Sequence, residues 1–226
     1  MADAEEVRED TEALREEVLR PVIIVACPKS ATMYIAVLLN KLGLDFGHEA
    51  RFIYEGRVVS ARDGRSSWPL GAGYGVIPFD GQPPLDSYEN PIILHQVRHP
   101  LDTMSSCQKI SLKAWDYISQ HIPLKPLTEE NLPENCLRLW YYWNLKCEEL
   151  AEWTYRIEAL EEVWEEFCRR IGRPWLAEKR SVLRSIPKNI NTAKPYRRLT
   201  WEELMRRDPG LTEKAMRLAE RYGYEV

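Results

Sequence analysis

Lys29, Ser30 and Thr32 crowd into the turn Cys27-Pro28-Lys29-Ser30-Ala31-Thr32, which follows the apolar run Val22–Ala26 and precedes the helical stretch Met33–Leu42. A cation and two hydroxyls at the start of a helix are the ingredients of an anion site. The first backbone N–H groups of a helix lack partners, and its dipole is positive there. A second group lies further on. Arg98 follows the apolar run Ile92–Val97, and Ser106 stands on the first turns of the helix expected next. A guanidinium fork and a hydroxyl so placed can reach one phosphate from two sides. Taken singly, Arg98 has a plainer use in pairing with Asp102, and Ser106 as a helix-surface residue. The nucleoside-triphosphatase loop GxxxxGK[ST] is not expected: the lysine comes early, the turn has no glycine, and no magnesium-binding carboxylate ends the second strand. The chemistry is that of a small phosphorylated ligand held without a metal.

The elements that must position these groups are those of an α/β fold. Val22–Ala26 is an uninterrupted, mostly β-branched run of the kind buried on both faces of a sheet. With the turn and a helix from Met33 stopped by Gly43, it forms the strand–turn–helix unit that opens a parallel sheet. A second buried strand spans Pro91–Val97 and leads into a helix. Residues 54–90 are rich in glycine and proline, and Asp63-Gly64 predicts a hairpin between Arg57–Ala61 and Arg65–Trp68. That segment reads as an insertion folded over the sheet's edge, a lid shared with residues 108–130. A long aromatic helix is expected from Thr128 to Glu152, a short strand at Thr154–Ile157, and a helix over 159–171 broken by Gly172 and Pro174. Two short helices should follow Thr200, with Thr200-Trp201-Glu202-Glu203 as a start signal. Residues 3–20 read as a charged helix ended by Pro21.

The 226 residues suit a single domain, 1–226, of three layers, a short parallel β-sheet flanked by helices. A net charge of −4 argues against a surface built to grip nucleic acid. The charge is uneven: residues 1–20 carry eight acidic and three basic residues, whereas 179–198 carry seven basic and no acidic ones. A local basic segment on a mildly acidic chain suits a small anion. No apolar run reaches the roughly 20 residues that cross a bilayer, and the N-terminus is too acidic for a signal peptide, so a cytoplasmic protein is expected. The five cysteines form no CxxC pair and are expected to stay reduced. His95 reads as a core histidine and His121 as a loop residue. Most tryptophans read as packing, Trp175 included; Trp68 stays open between packing and an acceptor pocket.

The two phosphate-binding segments together, in this order, resemble the sulfotransferases that use 3′-phosphoadenosine 5′-phosphosulfate (PAPS). Cys27-Pro28-Lys29-Ser30-Ala31-Thr32-Met33-Tyr34 is similar to their 5′-phosphosulfate loop, x-P-K-S-G-T-T-W. Arg98-His99-Pro100-Leu101-Asp102-Thr103-Met104-Ser105-Ser106 is similar to the 3′-phosphate motif, R-[NDH]-P-x-D-x-x-x-S. Tyr155-Arg156-Ile157-Glu158-Ala159-Leu160 resembles a late Y-E-x-L segment. The likeness is to a small, divergent, bacterial-like member with a fold of the P-loop type. It implies PAPS as co-substrate and 3′-phosphoadenosine 5′-phosphate (PAP) as product, no metal, and a small-molecule acceptor. It also implies roles. Lys29 would neutralise charge on the oxygen leaving sulfur. Ser30, Ala31, Thr32 and Met33 would hold the 5′-phosphate, Tyr34 would stack on adenine, and Arg98 and Ser106 would hold the 3′-phosphate. Lys194, Arg197 and Arg198 would come from a basic loop closing over it.

In-line transfer needs a group to take the acceptor's proton. Gly47-His48-Glu49 stands where a second strand should reach the sheet's carboxyl edge, the usual ligand side. Glu49 is the first candidate and His48 the second, with a hydrogen-bonded pair that only orients the loop as the bland alternative. Ala31 stands for the family's glycine and Met33 for a threonine, so a degenerate, non-catalytic nucleotide-binding or interaction protein is the alternative reading. An ATP-dependent small-molecule kinase is a more distant one, an interaction protein working through the acidic N-terminal helix is a third, and a homodimer is a further expectation.

Overall fold

The computed structural model describes residues 19–49, 52–69, 88–187 and 197–226. The expected helix over 3–20 therefore falls almost wholly outside the described residues, as do residues 70–87 of the expected lid and 188–196 of the basic segment.

Five strands form one parallel sheet: β1 (Val22–Ala26), β2 (Phe46–His48), β5 (Gly64–Ser67), β6 (Ile92–Val97) and β7 (Trp153–Arg156), in the order β2-β5-β1-β6-β7. All five residues of β1 have no exposed surface, as its apolar sequence requires of a central strand covered on both faces. On one face Val22 and Ile24 pack against α1 (Thr32–Lys41) and α5 (Trp164–Arg170). On the other, Ile23, Val25 and Cys27 meet α2 (Pro100–Cys107), α3 (Leu112–Ser119) and α4 (Leu132–Leu150), with α6 (Trp201–Arg207) and α7 (Pro209–Arg221) completing that layer. The result is an α/β domain with helices on both faces of a parallel sheet. Among the described residues, no helix is long and apolar enough to cross a membrane.

The hairpin expected at Asp63-Gly64 is corrected. The antiparallel pair is β3 (Phe52–Tyr54) with β4 (Arg57–Val59), turned at Glu55-Gly56, where both residues take positive φ. Gly64 instead opens β5, an inner strand between β2 and β1. It lies so close to β1 that a Cβ there would meet the Val22 carbonyl oxygen at 1.9 Å. Asp63 and Gly64 form a close backbone approach, a use of glycine that looks the same in sequence as a hairpin turn. Residues 64–67 are therefore part of the sheet and not of an insertion.

Helix signals fare better. Gly43 ends α1 with φ +96, and Thr200 caps α6 by accepting from the Glu203 amide at 3.2 Å. All five cysteines are free and buried. Trp115, Trp140, Trp143 and Trp164 fill the core, and Trp68 joins them: its carbonyl accepts from Trp143 Nε1 at 2.9 Å and its ring meets Tyr117 edge-on. Trp175 departs from the packing expectation, being 53% exposed.

Candidate functional site

The chain leaves β1 toward β2 on one side of the sheet and leaves β6 toward β7 on the other. Connections that diverge from neighbouring strands open a crevice at their carboxyl ends, the place where parallel α/β sheets receive ligands. The Lys29 loop follows β1 and Arg98 follows β6, so both halves of the expected phosphate site arrive at this crevice.

The loop's shape follows from its backbone. Lys29 (φ 68) and Ala31 (φ 65) are left-handed, while Ser30 between them is not. Alternation of this kind turns successive N–H groups toward one concavity, an anion-binding nest. The amides of Ala31, Thr32 and Met33 have no backbone acceptor among the described residues, as expected at a helix start. Ser30 is 1% exposed, and its hydroxyl has no hydrogen-bond partner among the described residues. A buried hydroxyl left without a partner costs about 1–3 kcal/mol, and a ligand oxygen would supply the missing bond.

Four contacts brace the loop. Arg98 Nη1 donates to the Lys29 carbonyl at 2.9 Å. Buried Gln96 donates to the Ser30 carbonyl and accepts from Tyr155 Oη at 2.7 Å, tying the loop to β7. Ser66 Oγ donates to the Thr32 carbonyl at 2.7 Å, and Cys107 Sγ lies 3.5 Å from the Pro28 carbonyl. Burial raises the Cys27 thiol well above its ordinary pKa, with Cys107 adding to the shift, so Cys27 remains an uncharged packing group. Lys29 is exposed, its ammonium free of the core below.

β2 delivers Gly47-His48-Glu49 to the same edge. His48 Nε2 lies 3.0 Å from Thr32 Oγ1 and 3.7 Å from Glu49 Oε1. Burial lowers the His48 pKa to about 4, so the ring is neutral at pH 7. Glu49 holds a left-handed backbone (φ 50), its amide donates to the Ser66 carbonyl at 3.1 Å, and its side chain is about one-third exposed. His95 is fully buried between Asn144 (3.0 Å) and Thr154 (3.3 Å), away from solvent as a core histidine should be. His121 packs against the Tyr117 ring.

Ser106 is half-buried on α2, and its helix is anchored to the end of the basic segment. Ser105 Oγ accepts from the Leu199 amide at 2.9 Å, and Gln108 donates to the Arg197 carbonyl at 2.6 Å. Arg197 itself pairs with Glu203, whereas Arg198 is exposed; Lys194 lies outside the described residues. Tyr34 and Met33 lean on the apolar cluster of α1, half-buried, and burial raises the Tyr34 phenol with Glu161 adding to it.

Three supporting residues escape a reading of the sequence alone. Gln96 had one local signal, a polar residue inside an apolar strand. Ser66 had none. Glu158 takes the His99 amide at 2.8 Å and the Tyr224 hydroxyl at 2.9 Å, holding the start of α2 from the turn that follows β7. No cluster of His, Cys, Asp and Glu able to hold a metal occurs among the described residues. The chain matches no protein-family model and no curated protein.

Proposed function

We propose that the chain transfers a sulfuryl group from PAPS to a hydroxyl or amine of a small acceptor, with a P-loop-type sulfotransferase fold. The observation that carries this reading is the convergence of two motifs distant in sequence. Arg98 reaches the carbonyl of Lys29, so a fork suited to one phosphate braces the loop suited to another. The order β2-β5-β1-β6-β7, with the loop after the central strand, supports the fold. The residues present fit a bisphosphorylated nucleotide. The nest amides and the partnerless Ser30 hydroxyl would hold its 5′-phosphate, and Arg98 with Ser106 its 3′-phosphate. When bound, PAPS supplies the activated sulfuryl group.

The chain's own residues do the rest. Lys29 sets a mobile positive charge where negative charge grows on the oxygen leaving sulfur, which is transition-state stabilisation. Glu49, a third exposed at the crevice edge, takes the acceptor's proton. Ala31 takes the left-handed backbone that glycine would take without strain. Ala31 thus holds the kind of backbone a glycine would hold, which supports a working site over a degenerate one.

Transfer of radiolabelled sulfuryl from PAPS to a panel of phenols, alcohols and amines tests the reading. Labelled product is expected from the unsubstituted chain, with a loss on the order of 10²–10³ in Lys29→Ala. Magnesium-dependent ATP turnover in place of sulfuryl transfer would overturn it in favour of a kinase.

A further inference from the structure

Thr32 is the first residue of α1 and is held from two strands at once. Ser66 of β5 takes its carbonyl at 2.7 Å, and His48 at the end of β2 stands 3.0 Å from its hydroxyl. Both Thr32 and His48 are buried, at 6% and 9% exposure. Resting on the sulfotransferase reading, we propose that His48 is a positioning residue that aims the Thr32 hydroxyl at the 5′-phosphate, and that the acceptor's proton goes to Glu49.

The argument turns on which ring nitrogen carries the proton. His48 Nε2 faces the Thr32 hydroxyl at 3.0 Å and the Glu49 carboxylate at 3.7 Å. A carboxylate only accepts, while a hydroxyl both donates and accepts. A proton on Nε2 bonds Thr32 Oγ1 and turns positive charge toward the carboxylate 3.7 Å away; a lone pair there would face the carboxylate's negative charge. With Nε2–H donating to Thr32 Oγ1, the threonine keeps its own proton to give to an anion at the helix start. The opposite tautomer would consume that proton and leave the hydroxyl unable to donate outward.

The same geometry removes His48 from proton abstraction. Its Nε2 is committed to Thr32, and protonating a ring this buried would place a charge in the apolar neighbourhood of Phe52. Glu49 is the more accessible of the two, its side chain about one-third exposed at the crevice edge. In the transfer step the acceptor oxygen forms the bond to sulfur as its proton passes to the Glu49 carboxylate. The bond from sulfur to the phosphate oxygen breaks, and its electron pair stays on that oxygen beside Lys29.

Nitrogen–proton correlation NMR of the full chain, together with titration of PAP into His48→Gln, His48→Phe and Thr32→Val, tests the assignment. The expected results are a neutral ring with its proton on Nε2 and PAP affinity about tenfold weaker in His48→Phe. His48→Phe should add nothing to Thr32→Val, because both remove one interaction. His48→Gln, which offers an amide donor in place of Nε2–H, should recover most of the affinity and of the turnover. A proton on Nδ1, full PAP affinity in His48→Phe, or a His48→Gln chain that binds PAP normally but loses turnover about a hundredfold would each overturn the proposal. Failure of the unsubstituted chain to bind PAP would contradict the sulfotransferase reading instead; the proton's position on His48 still decides the Thr32 contact.

Discussion

Ala31 holds φ 65, ψ 30, a conformation in which its Cβ crowds the following carbonyl at a cost of about 1–2 kcal/mol. Strain of that size persists where surrounding structure imposes it, and such residues gather at functional sites. Ala31→Gly removes the crowding but adds freedom to the unfolded chain, an opposing effect of about 0.4–1 kcal/mol. The expected net is a gain of about 0.5–1 kcal/mol in urea unfolding; a loss would show that the alanine methyl packs usefully. Lys29 is exposed, so Lys29→Ala should leave the melting temperature within about 2 °C, as surface substitutions do, while turnover collapses. Glu49→Gln should lower turnover with little change in PAP affinity, and an unaltered rate would remove Glu49 as the proton acceptor. Lys29, Ser30 and Arg98 were legible in the sequence because each belongs to a motif a few residues long. Gln96, Ser66 and Glu158 were not, because their roles exist only through partners 66, 34 and 59 residues away.

Elements read from local pattern held where one face or one cap decides them. β1, β6, α1 and the cap of α6 stand within a residue or two of where the apolar runs and punctuation put them. β5 was the failure. Gly64-Arg65-Ser66-Ser67 has no apolar alternation, yet it is buried at every position, because Ser66 and Ser67 are satisfied by side-chain hydrogen bonds and Gly64 presses on Val22. Gly64→Ala should therefore cost at least about 3 kcal/mol, by overpacking an inner strand and straining φ +132, and a soluble variant of normal stability would contradict the placement. Two histidines tie strands to their surroundings: His48 on β2 and His95 between β6, β7 and α4. Burial lowers each from 6.5 to about 4. The unfolded chain thus takes up protons that the folded one refuses as pH falls from 6.5 to 4. Stability is full above 6.5 and declines through that window, by on the order of 3 kcal/mol for each ring. Urea midpoints at pH 7 and pH 5 should show the decline, and His95→Gln should shrink it.

At the scale of the whole molecule, the sheet order does what no single motif does. It places β1 and β6 side by side with their connections diverging, so that Lys29 and Arg98, 69 residues apart, meet over one crevice. A chain of net charge −4 thereby brings a lysine and an arginine from distant segments to one place. The parallel order was foreseeable from alternating strand and helix signals. The identity of the neighbours was not, since pairing between strands that alternate with helices leaves no local trace in sequence. The acceptor's shape was likewise illegible: the segments expected to choose it, 45–90 and 108–130, carry no motif. The central claim is that two phosphates, and not one, are recognised. Isothermal titration of PAP and of 5′-AMP against the full chain tests it most directly. Saturable PAP binding is expected, with 5′-AMP at least about a hundredfold weaker and the difference largely lost in Arg98→Ala, since a charge-assisted contact contributes about 1.5–3 kcal/mol. Equal affinity for the two nucleotides, or no saturable binding of PAP, would contradict the account.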